Sequence, residues 1–403
     1  MIKQALSGLK VIEFGNFMSA PYCTKLMADM GAEVIKIEQP VTGDEAREYG
    51  PFPNGERHHE KSGLFLYLNT NKKGITLNVD TPEGQKIFND LIKNADILVE
   101  NNPPKRIADL GFDYPTLKQL NPRLIMTSIT SFGQTGPYRD FKAYALNTAG
   151  MGGQTTRTGE FEREPITPPL SQSHYQSGAM AATATMGALF SRMSNGAGQH
   201  VDISETDVWA TIHHGHGVHL GIFEGRKSIR AGHRTISVYP WCILPCKDGY
   251  MCLIAIQGYQ WKRFLEAMGN PEWMKDERFQ NRIVMAFQHA DEADALVIAL
   301  LLNYSKEELF DICRRNQITF APVRDIAEVA NDPHFKERGY FVEIDREHIG
   351  LLKYPGAPYQ LSDTPWQLKS PAPTLGEHNE EVYCNQLGYK KRDLARMQKA
   401  GVI

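Results

Sequence analysis

The chain has 403 residues, of which 41% are hydrophobic, 23% charged and 10% aromatic. That balance suits a globular protein with a substantial core, one large or two moderate domains in size, and excludes disordered, collagen-like and coiled-coil classes. Lys+Arg 44 against Asp+Glu 47 gives a formal net charge of −3, so there is no basic excess to displace counterions from nucleic acid, and no nucleic-acid partner is expected.

The first residues lead directly into a strand-like run with no signal peptide ahead of it. The longest weakly polar stretch, residues 178–190, is shorter than the roughly 20 residues that span a bilayer, so no membrane association is expected. Six cysteines, at 23, 242, 246, 252, 313 and 384, include no Cys-x-x-Cys pair. A disulfide scaffold is disfavoured and the expected location is cytoplasmic. Cys242, Cys246 and Cys252 fall in strand-like apolar sequence without a second ligand pair and read as structural thiols, with no metal.

In chain order, residues 9–14 form a short β-branched run ended by Gly15, residues 20–30 carry helical spacing closed by Gly31, and residues 33–38 alternate as a strand. The acid closing that strand, Glu38, fits a dinucleotide fold, but no Gly-x-Gly-x-x-Gly follows the first strand, which disfavours NAD. Strands at 75–79, 96–100 and 124–129 alternate with helices at 82–94 and 114–120. The first third is therefore an α/β doubly wound parallel sheet with right-handed crossovers. Residues 177–194, rich in Ala and small side chains, predict a buried helix. Residues 241–256 predict a β-hairpin turning at Lys247-Asp248-Gly249, followed by helices at 260–268, 287–302 and 306–316. From residue 331 the Pro/Gly-rich tail reads as an extended connector before a last helix at 391–399. The domain division is 1–223, the N-terminal part of a large domain; 224–328, a small domain; and 329–403, a connector returning to the large domain.

Residue types alone single out few sites. His213, His214, His216 and His219 crowd one segment but lack acidic or cysteine partners, and read as interface histidines rather than a metal site. The loop Gly133 to Tyr138 follows a strand at the carboxyl edge, where α/β proteins bind ligands. Lys142 and Tyr144 come next, a cation beside an aromatic hydroxyl that suits an anionic or carbonyl group. Asp202 and Glu205 suggest an acid pair, but they flank Ser204 where a strand enters a helix; Ser204 as N-cap and acids near a helix start explain them structurally. No Ser-His-Asp elbow, Walker loop or His-Glu-x-x-His occurs.

Taken together, the segments Leu6–Phe14, Ala20-Pro21, Gly31–Glu38, Gly43-Asp44 with Arg47, Asn71-Lys72-Lys73, Asn121–Ile125, Ser131–Tyr138, Ala372–His378 and Ala400–Ile403 resemble family III CoA-transferases along nearly the whole chain. The resemblance implies a Rossmann-like large domain built from both termini, a small α+β domain, and two chains interlocked like linked rings. It implies a CoA thioester as substrate or ligand, with no tightly bound cofactor. Members move CoA between carboxylic acids through an aspartyl anhydride and an aspartyl-CoA thioester; related racemases exchange an α-proton with an aspartate and a histidine.

Two departures bear on function. Where the family aspartate stands, three residues before a Ser/Thr-Gly pair, this chain has His174 before Ser177-Gly178. An acyl-imidazole cannot become a stable enzyme–CoA thioester, so no catalytic nucleophile is assigned. The family's Asn-Phe-Arg-Pro-Gly is replaced by Asn101-Asn102-Pro103-Pro104-Lys105, losing a bidentate arginine. The residues implied for CoA are Met18, Gln39, Arg47, Lys72, Lys105, Lys142 and Tyr144; Met18 and Gln39 stand where other members often have Gln and Arg. The racemase pattern also fails, because Tyr144 stands at its histidine position and His174 at its aspartate position.

The expected function is a non-catalytic subunit of a heteromeric family III CoA-transferase. It would be paired with a paralogue carrying the aspartate, as in the enzyme that transfers CoA from succinyl-CoA to benzylsuccinate in aromatic degradation. Two alternatives remain: an acyl-CoA hydrolase or lyase with His174 as base, and a regulatory homodimer that binds acyl-CoA.

Overall fold

The computed structural model describes residues 4–212, 217–225, 229–346 and 349–403. The chain divides into two compact units. One comprises Met1–Gln154, Pro168–His216 and Lys336–Ile403; the other comprises Thr155–Thr167 and Gly217–Phe335.

The first unit is built on a six-stranded sheet of β1 (Lys10–Phe14), β2 (Glu33–Glu38), β3 (Lys72–Thr76), β4 (Ile97–Glu100), β5 (Ile125–Thr130) and β6 (His200–Ser204). Every pairing is parallel and the order is β3-β2-β1-β4-β5-β6. The order reverses beside β1, which opens a crevice at the carboxyl ends of the strands. The helices of this unit are α1 (Ser19–Asp29), α2 (Gly63–Leu68), α3 (Pro82–Lys93), α4 (Pro104–Asp109), α5 (Tyr114–Leu120), α6 (Ala145–Met151), α7 (Gln172–Asn195) and α8 (Glu205–Ile212).

Alternation along the strands sends successive side chains to opposite faces. Ile12, Leu98 and Met126 pack against Ile87, Phe88 and Leu117 of α3 and α5. Val11, Val99, Ile125 and Ile129 pack against Ala20, Cys23, Ala181 and Ala182 of α1 and α7. Small residues let α1 and α7 come close: a Cβ added at Gly178 would lie 2.7 Å from the Ser19 carbonyl oxygen. The sheet also carries a hidden charge cluster. Glu13 accepts from Lys36 Nζ at 2.6 Å, Lys72 Nζ at 2.8 Å and the Thr24 hydroxyl at 2.5 Å. Burial works to raise the Glu13 pKa, but the two lysines hold it down at about 2.

The third strand begins three residues before its expected start at 75. Lys72 and Lys73 disguise it in sequence, yet Lys72 is a core residue that reaches Glu13. The helix expected as buried along its length is longer and one-faced: Phe190 and Met193 are 73% and 80% exposed. The tail is not wholly an extended connector. Residues β10 (Phe341–Arg346) and β11 (Gly350–Pro355) pair antiparallel, because Val342 and Ile344 alternate with Glu343 and Asp345 on a half-buried face. The final helix (Lys391–Lys399) follows, and Tyr383, Met397, Val402 and Ile403 complete the core on the α3 face.

The second unit holds helix α9 (Gly217–Glu224) and a three-stranded sheet of β7 (Trp241–Cys246), β8 (Gly249–Ile254) and β9 (Ala321–Pro322). Its other helices include α10 (Gly258–Ala267), α11 (Arg282–Gln288), α12 (Ala290–Leu301) and α13 (Lys306–Arg315). The single helix expected at 287–302 is two helices, because Asn281 caps an earlier start and His289, at φ −130°, separates them. Cys242, Cys246 and Cys252 lie on the β7–β8 hairpin, where burial raises each thiol's pKa.

Candidate functional site

The carboxyl ends of β1, β4, β5 and β6 are stapled together through their following loops. Asn101 accepts from the Asn16 backbone N–H at 2.8 Å and donates to the Asn16 carbonyl at 2.8 Å and the Ser19 hydroxyl at 3.0 Å. Asn102 donates to the Phe14 carbonyl at 2.8 Å. Across the sheet, the Thr206 hydroxyl donates to the Ser131 carbonyl at 2.8 Å and the Gln134 N–H to Asp202 at 3.0 Å. Gly133, at φ +81°, lies in the left-handed region the turn requires. These bonds border a cavity of about 330 Å³ lined by Ser19, Asn101, Asn102, Ser131, Arg139, Lys142, His174 and Glu205.

His174 sits in the first turn of the 24-residue α7, and Glu205 is the first residue of α8. His174 Nδ1 lies 2.8 Å from Glu205 Oε1; the side chains are 16% and 5% exposed. A carboxylate only accepts, so Nδ1 carries the proton, and in the neutral tautomer the lone pair is on Nε2. The Phe17 ring meets the imidazole edge-on at 5.8 Å. The residue before His174 is fixed as well: the Ser173 hydroxyl bonds Thr148 Oγ1 at 2.6 Å and accepts from the Trp209 indole N–H. Glu205 Oε2 is buried with no hydrogen-bond partner among the described residues.

Glu205 is the residue the sequence reading missed. The sequence makes Ser204 the N-cap and Glu205 an acid near the helix start; Ser204 does accept from the Asp207 N–H at 3.2 Å, but Glu205 turns to His174. Asp202 is likewise committed to the Gln134 loop. No local signal sets Glu205 apart, because its partner His174 stands 31 residues earlier in the chain.

The residues implied for CoA separate into three groups. Lys142 lines the cavity with His174; its ammonium stands 5.4 Å above the exposed Tyr144 ring. Gln39 is exposed and borders a second, smaller cleft of about 170 Å³ with Asn16, Asn102 and Arg106, whereas Lys105 is exposed on α4 and lines neither. Met18, Arg47 and Lys72 are buried. Arg47 holds buried Glu38 at 2.7 Å and half-buried Glu60 at 2.7 Å and stacks on Phe65, so its guanidinium is already taken up. Lys72 is bound to Glu13, the Pro21 carbonyl and Asn69, and burial lowers its pKa to about 8. Reaching a phosphate would require Arg47 to abandon buried Glu38, or Lys72 to leave buried Glu13 to Lys36 alone.

His213, His214 and His216 lie outside the described residues. Among the described residues, no group of three His, Cys, Asp or Glu is arranged to hold a metal ion. No helix among them is long and apolar enough to cross a membrane.

The succinate–glutarate CoA-transferase of Agrobacterium fabrum is 32% identical over 383 residues, covering 94% of this chain and 95% of that protein. The BbsE subunit of succinyl-CoA:(R)-benzylsuccinate CoA-transferase from Thauera aromatica is 30% identical over 419 residues, covering 99% and 98%. The crystal structure of a CAIB/BAIF family protein from Brucella suis superposes with a TM-score of 0.85 at 30% identity, covering 95% and 99%. The model of CoA-transferase family III matches residues 6–379, and the chain belongs to that family.

Proposed function

We propose that this chain is a subunit of a CoA-transferase that moves CoA between carboxylic acids, and that it does not itself carry the acyl anhydride. The carrying observation is His174 at the head of α7, its Nδ1 tied to Glu205. A carboxylate there would form an anhydride that CoA thiolate can reopen to a thioester; an imidazole yields an acyl-imidazole and stops. The aspartate would come from a paralogous partner chain, interlocked with this one as in the ring-like dimers the family resemblance implies. The similarity to a protein named as a subunit of a benzylsuccinate transferase supports this reading. A dicarboxylic acid is the CoA acceptor we assign.

In this reading Gln39, Lys142 and Tyr144 meet CoA from solvent-facing positions and Lys105 approaches its phosphates. Met18, Arg47 and Lys72 shape the crevice from beneath. Native mass spectrometry of the protein isolated from its own source tests the proposal. Co-purification with a similar-sized paralogue bearing aspartate at the position of His174 is expected. A clean homodimer that transfers CoA at ordinary rates would overturn it.

A further inference from the structure

Independently of any partner chain, we infer that His174 and Glu205 form an acid–base pair that hydrolyses a CoA thioester lodged in this chain's own cavity. Three observations carry this. The carboxylate fixes the tautomer, leaving the basic lone pair on Nε2, and no described residue hydrogen-bonds that nitrogen. Both side chains line the 330 Å³ cavity, with the Lys142 ammonium at its wall to receive an anionic ligand and Arg139 paired with Asp140 at 3.3 Å beside it. The pair is held by rigid elements, α7 and α8, with Ser173 locked by Thr148 and Trp209 and Phe17 packed against the ring.

The step balances without a redox partner. Water gives a proton to His174 Nε2 as its oxygen bonds to the thioester carbonyl carbon, and the carbonyl electron pair moves to oxygen. Collapse of that intermediate breaks the C–S bond. The departing CoA thiolate takes the proton back from Nε2, giving a carboxylic acid and free CoA. His174 is the catalytic base and acid; Glu205 is a positioning residue that orients the ring and stabilises the imidazolium in between. An imidazole suits this role near neutral pH better than it suits a stable acyl carrier.

The test follows free thiol release from succinyl-CoA and acetyl-CoA by the full chain and two variants. His174→Ala should lower kcat by about 10²- to 10⁴-fold. Glu205→Gln offers an amide N–H to Nδ1, moves the ring proton to Nε2 and removes the base. It should lower kcat on a similar scale with KM unchanged and the urea midpoint preserved. Release by the parent no faster than by His174→Ala would overturn the inference. So would full kcat in Glu205→Gln. These outcomes leave the partner-subunit reading untouched, because co-purification with an aspartate-bearing paralogue does not depend on this chain's hydrolysis.

Discussion

Glu100, the last residue of β4, offers a quantitative test of how the sheet edge is built. Its register neighbours are Phe14, Ser128 and, one strand further, Asp202. Glu100 Oε2 accepts from the Asn102 N–H at 2.7 Å, whereas Oε1 is buried without a partner among the described residues. Burial, opposed by the nearby Ser128 hydroxyl and the Asn102 hydrogen bonds and aided by the Asp202 charge, raises this carboxyl from 4.5 to about 7. An unfolded carboxyl ionises near 4.5, so between these values the folded state binds more protons and stability falls as pH rises. The contribution is fully present below pH 4.5 and lost above pH 7. The change corresponds to roughly 3 kcal/mol. Glu100→Gln keeps the shape and the acceptor for Asn102 while removing the ionisation. Urea unfolding of parent and variant at pH 4.5 and pH 8 is the assay. The variant should match the parent at pH 4.5 within about 1 kcal/mol and exceed it by up to about 3 kcal/mol at pH 8. A gap equal at both pH values would refute the reasoning.

Arg47→Ala strips buried Glu38 of its guanidinium and should cost about 3–5 kcal/mol in urea titrations, Lys72→Met leaves Glu13 paired with Lys36 and should cost about 1–3 kcal/mol, and exposed Lys105→Ala should stay within about 0.5 kcal/mol. Equal losses in all three would contradict their placement. Gly178→Val drives a Cβ to 2.7 Å from the Ser19 oxygen and 3.1 Å from the Tyr22 ring, so it should lower stability by about 1–3 kcal/mol. An unchanged melting temperature would show that the α1–α7 approach is looser than described. Lys142→Ala should weaken CoA binding about fivefold by calorimetry and flatten its salt dependence, as expected for one exposed cation. An unchanged Kd would remove Lys142 from the CoA path.

The parallel sheet was legible because its strands are β-branched runs alternating with helical spacing, and each pairs in parallel as expected. The β3 start was not, because Lys72 looks like a surface residue until Glu13, 59 positions earlier, is seen beneath it. The β10–β11 hairpin hid among prolines and glycines that punctuate its flanks. At the site, His174 announced itself as a departure at a diagnostic position. Glu205 did not, since its partner lies 31 residues away and a helix start already explains an acid there. The passage of residues 155–167 into the second unit has no local signature, because it depends on where the chain returns after α6.

In the proposed function this chain takes part in CoA transfer without carrying the acyl group or CoA. Incubating the native complex with succinyl-CoA, quenching with acid and mapping CoA adducts by peptide mass spectrometry tests it most directly. The account predicts a CoA thioester on a partner-chain aspartate and none on residues 171–212 of this chain. A CoA thioester on Glu205, or on any other carboxylate of this chain, would contradict it.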